Sequence, residues 1–282
     1  MPAFKDTKIT LFDGPSTHPD RRSLSGWCWR ARLVLNFKGL AYTTQFVEII
    51  DLESTLKPLG IPPTGTKADG SPHYTVPAII DATDSTKPPV CISDSQKILL
   101  YLEETYPDPS HPLIPSTAAG PGDYFPAPAV YLLVKQFILS HFVPYIRPLL
   151  IEDMVHFLSP RVVEWRNASI VAAKGEGHDM ITESSIGKEG SPEKEACWKK
   201  LEDGFGILAE LLETGEKMRA GLPGGPGQFF MGHQVTYADF SVLATLLMIH
   251  TASESGWQRV SQWHGGRWER LRKALEEYIV VT

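Results

Sequence analysis

The sequence predicts an α/β domain followed by an all-α helical bundle domain, and three observations carry that expectation. Up to Tyr106, short β-prone runs alternate with amphipathic helical ones. From 107 to 128 the chain is crowded with Pro, Gly and Ala and loses all periodicity, the pattern of a linker. From Ala129 onward the segments are long, apolar at helical spacing and nearly free of strand signals. The domains are drawn accordingly as 1–106, a linker over 107–128, and 129–282. A length of 282 residues agrees, since single cores rarely grow so large.

The first strand is expected at Lys8–Phe12, and the Gly-, Pro-, Ser- and Asp-rich run from Asp13 to Arg22 is a loop. A helix beginning near Gly26 or Trp27 then aims its free N–H groups and positive dipole end at the Ser25 hydroxyl, a place that stabilises a bound thiolate. Cys28 follows Ser25 at the spacing of a redox C-x-x-C pair whose first cysteine is replaced by serine, which removes the dithiol cycle and leaves a hydroxyl donor. Gly39 caps the helix, and Ala41–Ile50 alternates as a second strand. Asp51–His73 is too rich in Pro and Gly to be regular, apart from one short helix within Leu52–Leu59.

Tyr74–Asp81 and Pro88–Ile92 form a hairpin, with Pro77 at the entry of its strand, where proline is tolerated. Folded X–Pro bonds are trans in all but ~5–6% of cases, so the sequence alone favours trans here. Ser93–Tyr106 reads as a helix capped by Ser93 or Asp94. Its first turn suits a carboxylate ligand, and equally Asp94 and Ser95 are ordinary caps. In the second domain the helical segments are Val130–Phe142, Pro148–Ala173, Pro192–Arg219, Tyr237–His250 and Arg267–Tyr278. Thr236 and Asp239 have capping-box spacing ahead of a helix that is apolar nearly all round, so their expected role is structural.

Bulk properties exclude several classes. Hydrophobic residues are 42% and charged residues 21%, and a net charge of −6 gives no phosphate-binding surface, so nucleic acid is not an expected partner. Three widely spaced cysteines (Cys28, Cys91, Cys197) make neither a disulfide framework nor a zinc cluster, and no metal is expected. The charged N-terminal residues lack a signal-peptide core, and the longest apolar run, Phe240–Ile249, is short of the ~20 residues that span a bilayer. A cytoplasmic protein with no membrane insertion is the expectation.

A βαβ unit, a loop ending Val76-Pro77, a ββα unit opening Ser93-Asp94-Ser95, a linker, and an all-α domain carrying Thr236-Tyr237-Ala238-Asp239 together resemble the cytosolic glutathione transferases over most of the chain. The run from Ser25 to Leu40 looks most like the fungal etherase-related, serine-type members, in which a serine, three residues and a tryptophan precede such a helix. The resemblance implies a thioredoxin-like N-terminal domain that binds glutathione as co-substrate. In it Ser25 hydrogen-bonds the sulfur, the Val76 backbone pairs with the cysteinyl part beside a cis-Pro77, and Asp94 and Ser95 hold the γ-glutamyl end. Gly26 departs from the family, where proline often stands, and Trp27 adds bulk beside it. Ser23 and Cys28 therefore stay open as alternatives to Ser25.

The anionic ligand calls for a local cation among Lys57, Lys67 and Arg22. The resemblance also implies a hydrophobic substrate site built from Trp27, Tyr124, Phe125, Tyr131, Lys135 and Phe142, suited to small hydrophobic or phenolic molecules, together with a homodimer and a role in detoxification. The activity implied is conjugation of glutathione to aromatic electrophiles or cleavage of activated aryl ethers. Two alternatives are a ligandin-type carrier of hydrophobic molecules and a glutathione-dependent thiol oxidoreductase working through Cys28.

Overall fold

The computed structural model describes residues 5–18, 22–108, 111–114, 128–172, 186–225 and 227–282, which divide into two compact units. The first is an α/β unit in the expected thioredoxin-like arrangement. Strand β1 (Lys5–Asp13) leads to α1 (Gly26–Phe37) and β2 (Leu40–Phe46); a 3₁₀ turn at Ile49–Asp51 leads into α2 (Leu52–Leu56). A small hairpin, β3 (Gly65–Thr66) with β4 (Pro72–His73), precedes β5 (Ala78–Asp81), β6 (Val90–Ser93) and α3 (Ser95–Thr105). The main sheet runs β2-β1-β5-β6, with β1 parallel to β2 and antiparallel to β5.

Strand β1 is interior to the sheet, paired with β2 on one side and β5 on the other. Toward its C-terminal end Ile9 and Leu11 are buried on one face and Phe12 on the other, while Asp6 and Lys8 nearer its start are exposed. Helix α1 buries every residue from Cys28 to Leu35, and Gly39 closes it in the left-handed region at φ +60°, which glycine adopts without a Cβ penalty. The second strand stops at Phe46, earlier than alternation suggested. The Val47 N–H turns to the Asp13 carbonyl (2.8 Å) and the chain then enters the 3₁₀ turn. The β3–β4 hairpin falls within a stretch expected to be irregular; it is two residues per strand, too short for alternation to announce it.

The second unit is all-α: α4 (Pro128–His141), α5 (Val143–Val155), α6 (Pro160–Ala172), α7 (Pro192–Arg219), α8 (Tyr237–Ala252), α9 (Glu254–Val260) and α10 (Trp263–Ala274). The segment expected as one helix over Pro148–Ala173 is two. Ser159 accepts from the Val162 N–H (3.3 Å) and Pro160 opens α6 at the position that tolerates proline, while Pro148 lies inside α5. Helix α7 carries every end signal: Ser191 as cap, Pro192 in first place, acids in the first turn and bases in the last. Gly204 lets α7 approach α4, since a Cβ there would sit 3.0 Å from the His141 carbonyl oxygen. Three left-handed residues, His264 to Gly266, interrupt the start of α10, so regular helix resumes at Arg267, where the sequence predicted it.

The division falls later than Tyr106. Leu113 and Ile114, assigned to the linker by sequence, are fully buried and belong to the first unit, which runs through Ile114. The terminal Glu276–Thr282, assigned to the helical domain, belongs to the first unit as well. Among the described residues no helix is long and apolar enough to cross a membrane.

Candidate functional site

Sheet register gathers the predicted site. Ala78 pairs with Phe12 on one side and with Ser93 on the other. The loop after β1, the Val76-Pro77 pair just before β5, and Asp94-Ser95 just after β6 therefore leave the sheet at one end. An antiparallel bridge between Pro15 and Ser23, with the Ser16 N–H on the Arg22 carbonyl (2.9 Å), returns the loop to that end and sets the start of α1 there.

Ser25 is the N-cap of α1. Its Oγ accepts the Cys28 N–H at a long 3.4 Å, it is half-buried, and the hydroxyl keeps its own proton to donate. Ser23 and Cys28 differ sharply. Ser23 is sealed at 0% exposure with its carbonyl bound by Trp29 Nε1 (3.2 Å), and among the described residues its Oγ takes no partner. Cys28 is also at 0%; burial, then the negative charge of Asp13, push its thiol well above the ordinary value, so it stays protonated. Trp27 is half-buried with its ring under the Arg30 guanidinium, 4.0 Å from centroid, a cation–π stack that fixes the ring.

The Val76–Pro77 bond is cis, as the resemblance implied and against the sequence-only preference for trans. Val76 packs on the cluster of Phe12, Leu52, Leu56, Ile61 and Ala78, and among the described residues its N–H and C=O make no backbone hydrogen bond. Asp94 caps α3, its Oδ1 accepting from the N–H groups of Gln96 (2.8 Å) and Lys97 (3.3 Å), and it does so at φ +80°. A non-glycine residue in that region costs about 1–3 kcal/mol, and such strain concentrates at binding sites. Ser95 is buried as the first residue of α3. Of the candidate cations, Lys57 and Lys67 both pair with Glu53 (3.5 and 3.7 Å) on the surface, and Arg22 lies over the Phe46 ring at 5.0 Å. Among the described residues no group of three or more His, Cys, Asp or Glu is placed to hold a metal ion.

Comparison with known families bears on both units. A model of the glutathione S-transferase C-terminal domain matches residues 129–278, and one of the glutathione S-transferase N-terminal domain matches 24–105. The chain belongs to the glutathione S-transferase family. A glutathione S-transferase-like protein of Aspergillus flavus, ustS, is 28% identical across 99% of this chain and 94% of its own length. A glutathione S-transferase of Ceriporiopsis subvermispora, solved in complex with glutathione, is 28% identical, with 97% and 98% of the two chains covered and a TM-score of 0.78. A glutathione transferase of Phanerochaete chrysosporium is 30% identical, with 98% and 99% covered and a TM-score of 0.75.

The transferase's expected hydrophobic site is only partly visible. Tyr124 and Phe125 lie outside the described residues; Tyr131 falls within α4, and Lys135 is half-buried on that helix. Phe142 requires correction. At 0% exposure it stacks on Phe205 (4.2 Å) and meets Phe137 edge-on (5.6 Å), so it is core of the helical unit rather than a binding wall. Thr236 and Asp239 form the predicted cap: Asp239 Oδ2 accepts from the Thr236 N–H (2.8 Å) and hydroxyl (2.9 Å), and Oδ1 from the Phe230 N–H (3.0 Å).

Sequence reasoning missed Asp13 and Arg32, an ion pair at 2.8 Å with both side chains fully buried. The available signal was Arg30 and Arg32 inside a helix that is otherwise apolar through its middle, since buried arginines are rare unless paired.

Proposed function

We propose that this transferase binds glutathione at the end of the first unit's sheet and that Ser25 donates its hydroxyl proton to the glutathione sulfur. The observation that carries the reading is that Ser25 alone of the three candidates is open: it is half-buried at the N-terminus of α1, whereas Ser23 and Cys28 are sealed. A free thiol has a pKa near 8.5, and a hydroxyl donor with a helix N-terminus lowers it. The Val76 N–H and C=O pair with the cysteinyl backbone, and Asp94 and Ser95 hold the γ-glutamyl end. That a Ceriporiopsis relative was solved in complex with glutathione supports glutathione as the ligand by similarity.

The thiol gives its proton to solvent, and the thiolate attacks an electrophilic carbon of a hydrophobic or phenolic substrate. A carbon–sulfur bond forms, and the leaving group, an aryl oxide in the case of ether cleavage, departs with its electron pair. The working enzyme is a cytoplasmic homodimer that acts in detoxification. A buried, protonated Cys28 removes support from an oxidoreductase route, which requires an accessible thiolate.

The test is turnover of an activated aryl halide and of aryl ethers, with calorimetry of phenolic ligands alongside. Ser25→Ala lowers kcat/KM by on the order of 10²-fold, the usual loss for one anion-stabilising donor. Full activity in that variant rejects Ser25, and tight phenolic binding with no turnover replaces the enzyme by a carrier.

A further inference from the structure

The residues that follow the helical unit return to the first one, and a single side chain accounts for much of their anchorage. Asn36, in the last turn of α1, donates through Nδ2 to the carbonyls of Tyr278 (2.7 Å) and Val280 (3.0 Å), while Phe37 meets the Tyr278 ring edge-on at 5.2 Å. Asn36 Oδ1 in turn accepts from the Tyr42 hydroxyl (2.8 Å). The Tyr42 oxygen accepts from Arg32 Nη1 (3.2 Å), which also donates to Thr44 (3.0 Å), and Arg32 Nη2 donates to Asp13 Oδ2 (2.8 Å). Each proton has one possible direction, because the two carbonyls only accept and the arginine only donates. At the far end, Asp13 is the last residue of β1, at the end of the sheet where α1 starts, and among the described residues its Oδ1 has no hydrogen-bond partner.

We propose that this chain couples the segment Glu276–Val280 to the thiolate site, with Arg32 as a positioning residue that balances the charge of Asp13 beneath the start of α1; the inference rests on Ser25 being the donor to the glutathione sulfur. Asp13 is fully buried, and after burial itself its negative charge is what pushes up the Cys28 thiol in the first turn of α1. The same charge, left unbalanced, raises the pKa of any thiolate bound at the α1 N-terminus. Arg32 cancels it only while its planar fork is aimed, and the fork is aimed by Asp13, Thr44 and Tyr42 together. Tyr42 is fixed by Asn36, and Asn36 by the two carbonyls of the terminal segment.

The experiment is a pH titration of the ultraviolet thiolate absorbance of glutathione bound to three proteins: the wild type, a truncation ending at Leu275, and Tyr42→Phe, which keeps the segment and removes only the link. Both variants are expected to move the titration midpoint upward by about one pH unit, a roughly tenfold fall in thiolate below the midpoint. Binding of S-methylglutathione, which has no thiol to ionise, stays at the wild-type Kd. A midpoint unmoved in Tyr42→Phe overturns the inference, as does an equal loss of S-methylglutathione binding, which marks the segment as support for the fold alone. A wild type that shows no thiolate band overturns the Ser25 reading, and this inference with it.

Discussion

Asp239 sets three hydrogen bonds against complete burial, and Asp239→Ala shows which dominates. The carboxylate accepts from two backbone N–H groups and one hydroxyl, all of which favour its charged form. Burial opposes them and wins, lifting its pKa from 3.8 to about 6. The folded state therefore binds more protons than the unfolded chain between those values. Stability contributed by Asp239 is then fully present below about pH 4 and is lost as pH rises through about 6, a swing of about 3 kcal/mol at 1.36 kcal/mol per pH unit. At neutral pH the alanine variant still loses the cap, worth about 1 kcal/mol, and leaves the Thr236 N–H unpaired in the interior at about 1–3 kcal/mol. The variant should be about 2–4 kcal/mol less stable at pH 7.5, and the gap from wild type should widen toward pH 4. Urea unfolding of both proteins at a series of pH values measures the gap. A gap that narrows as the pH falls would mean instead that the hydrogen bonds outweigh burial and hold the carboxyl ionised.

Three further outcomes follow from the site and the core. Asp94→Asn preserves the cap, since Asn and Asp cap equally well and are nearly the same shape; if the carboxylate grips the γ-glutamyl ammonium, KM for glutathione rises about tenfold or more while the melting temperature stays put. Cys28 should resist a thiol reagent in the native protein and react only on unfolding; fast native labelling contradicts its burial. Phe142→Ala should cost about 3–5 kcal/mol in urea unfolding and leave the ranking of electrophiles by kcat/KM unchanged, whereas an altered ranking returns Phe142 to the substrate site.

Much of the first unit could be read from residues because its signals are local. Ser25 and Asp94 stand at helix starts that their side chains announce, and Gly39 marks a helix end. What escaped the sequence depends on distant partners. The Asp13–Arg32 pair joins residues nineteen apart, and the Asn36 bonds reach across more than two hundred residues to Tyr278 and Val280, separations at which periodicity carries no information. Phe142 was misplaced for a related reason. Helical spacing places it on an apolar face, but only the packed Phe205 shows that the face is covered. The cis Val76–Pro77 bond came from resemblance and not from the residues, since the sequence carries no steric signal for it.

On the proposed reading, the Ser25 hydroxyl at the start of α1 lowers the pKa of a bound thiol. The direct measurement is the pH titration of thiolate absorbance with glutathione bound to wild type and to Ser25→Ala. The wild-type midpoint is expected below the free-thiol value of about 8.5, with a return toward that value in the variant. Equal midpoints in the two proteins would contradict it.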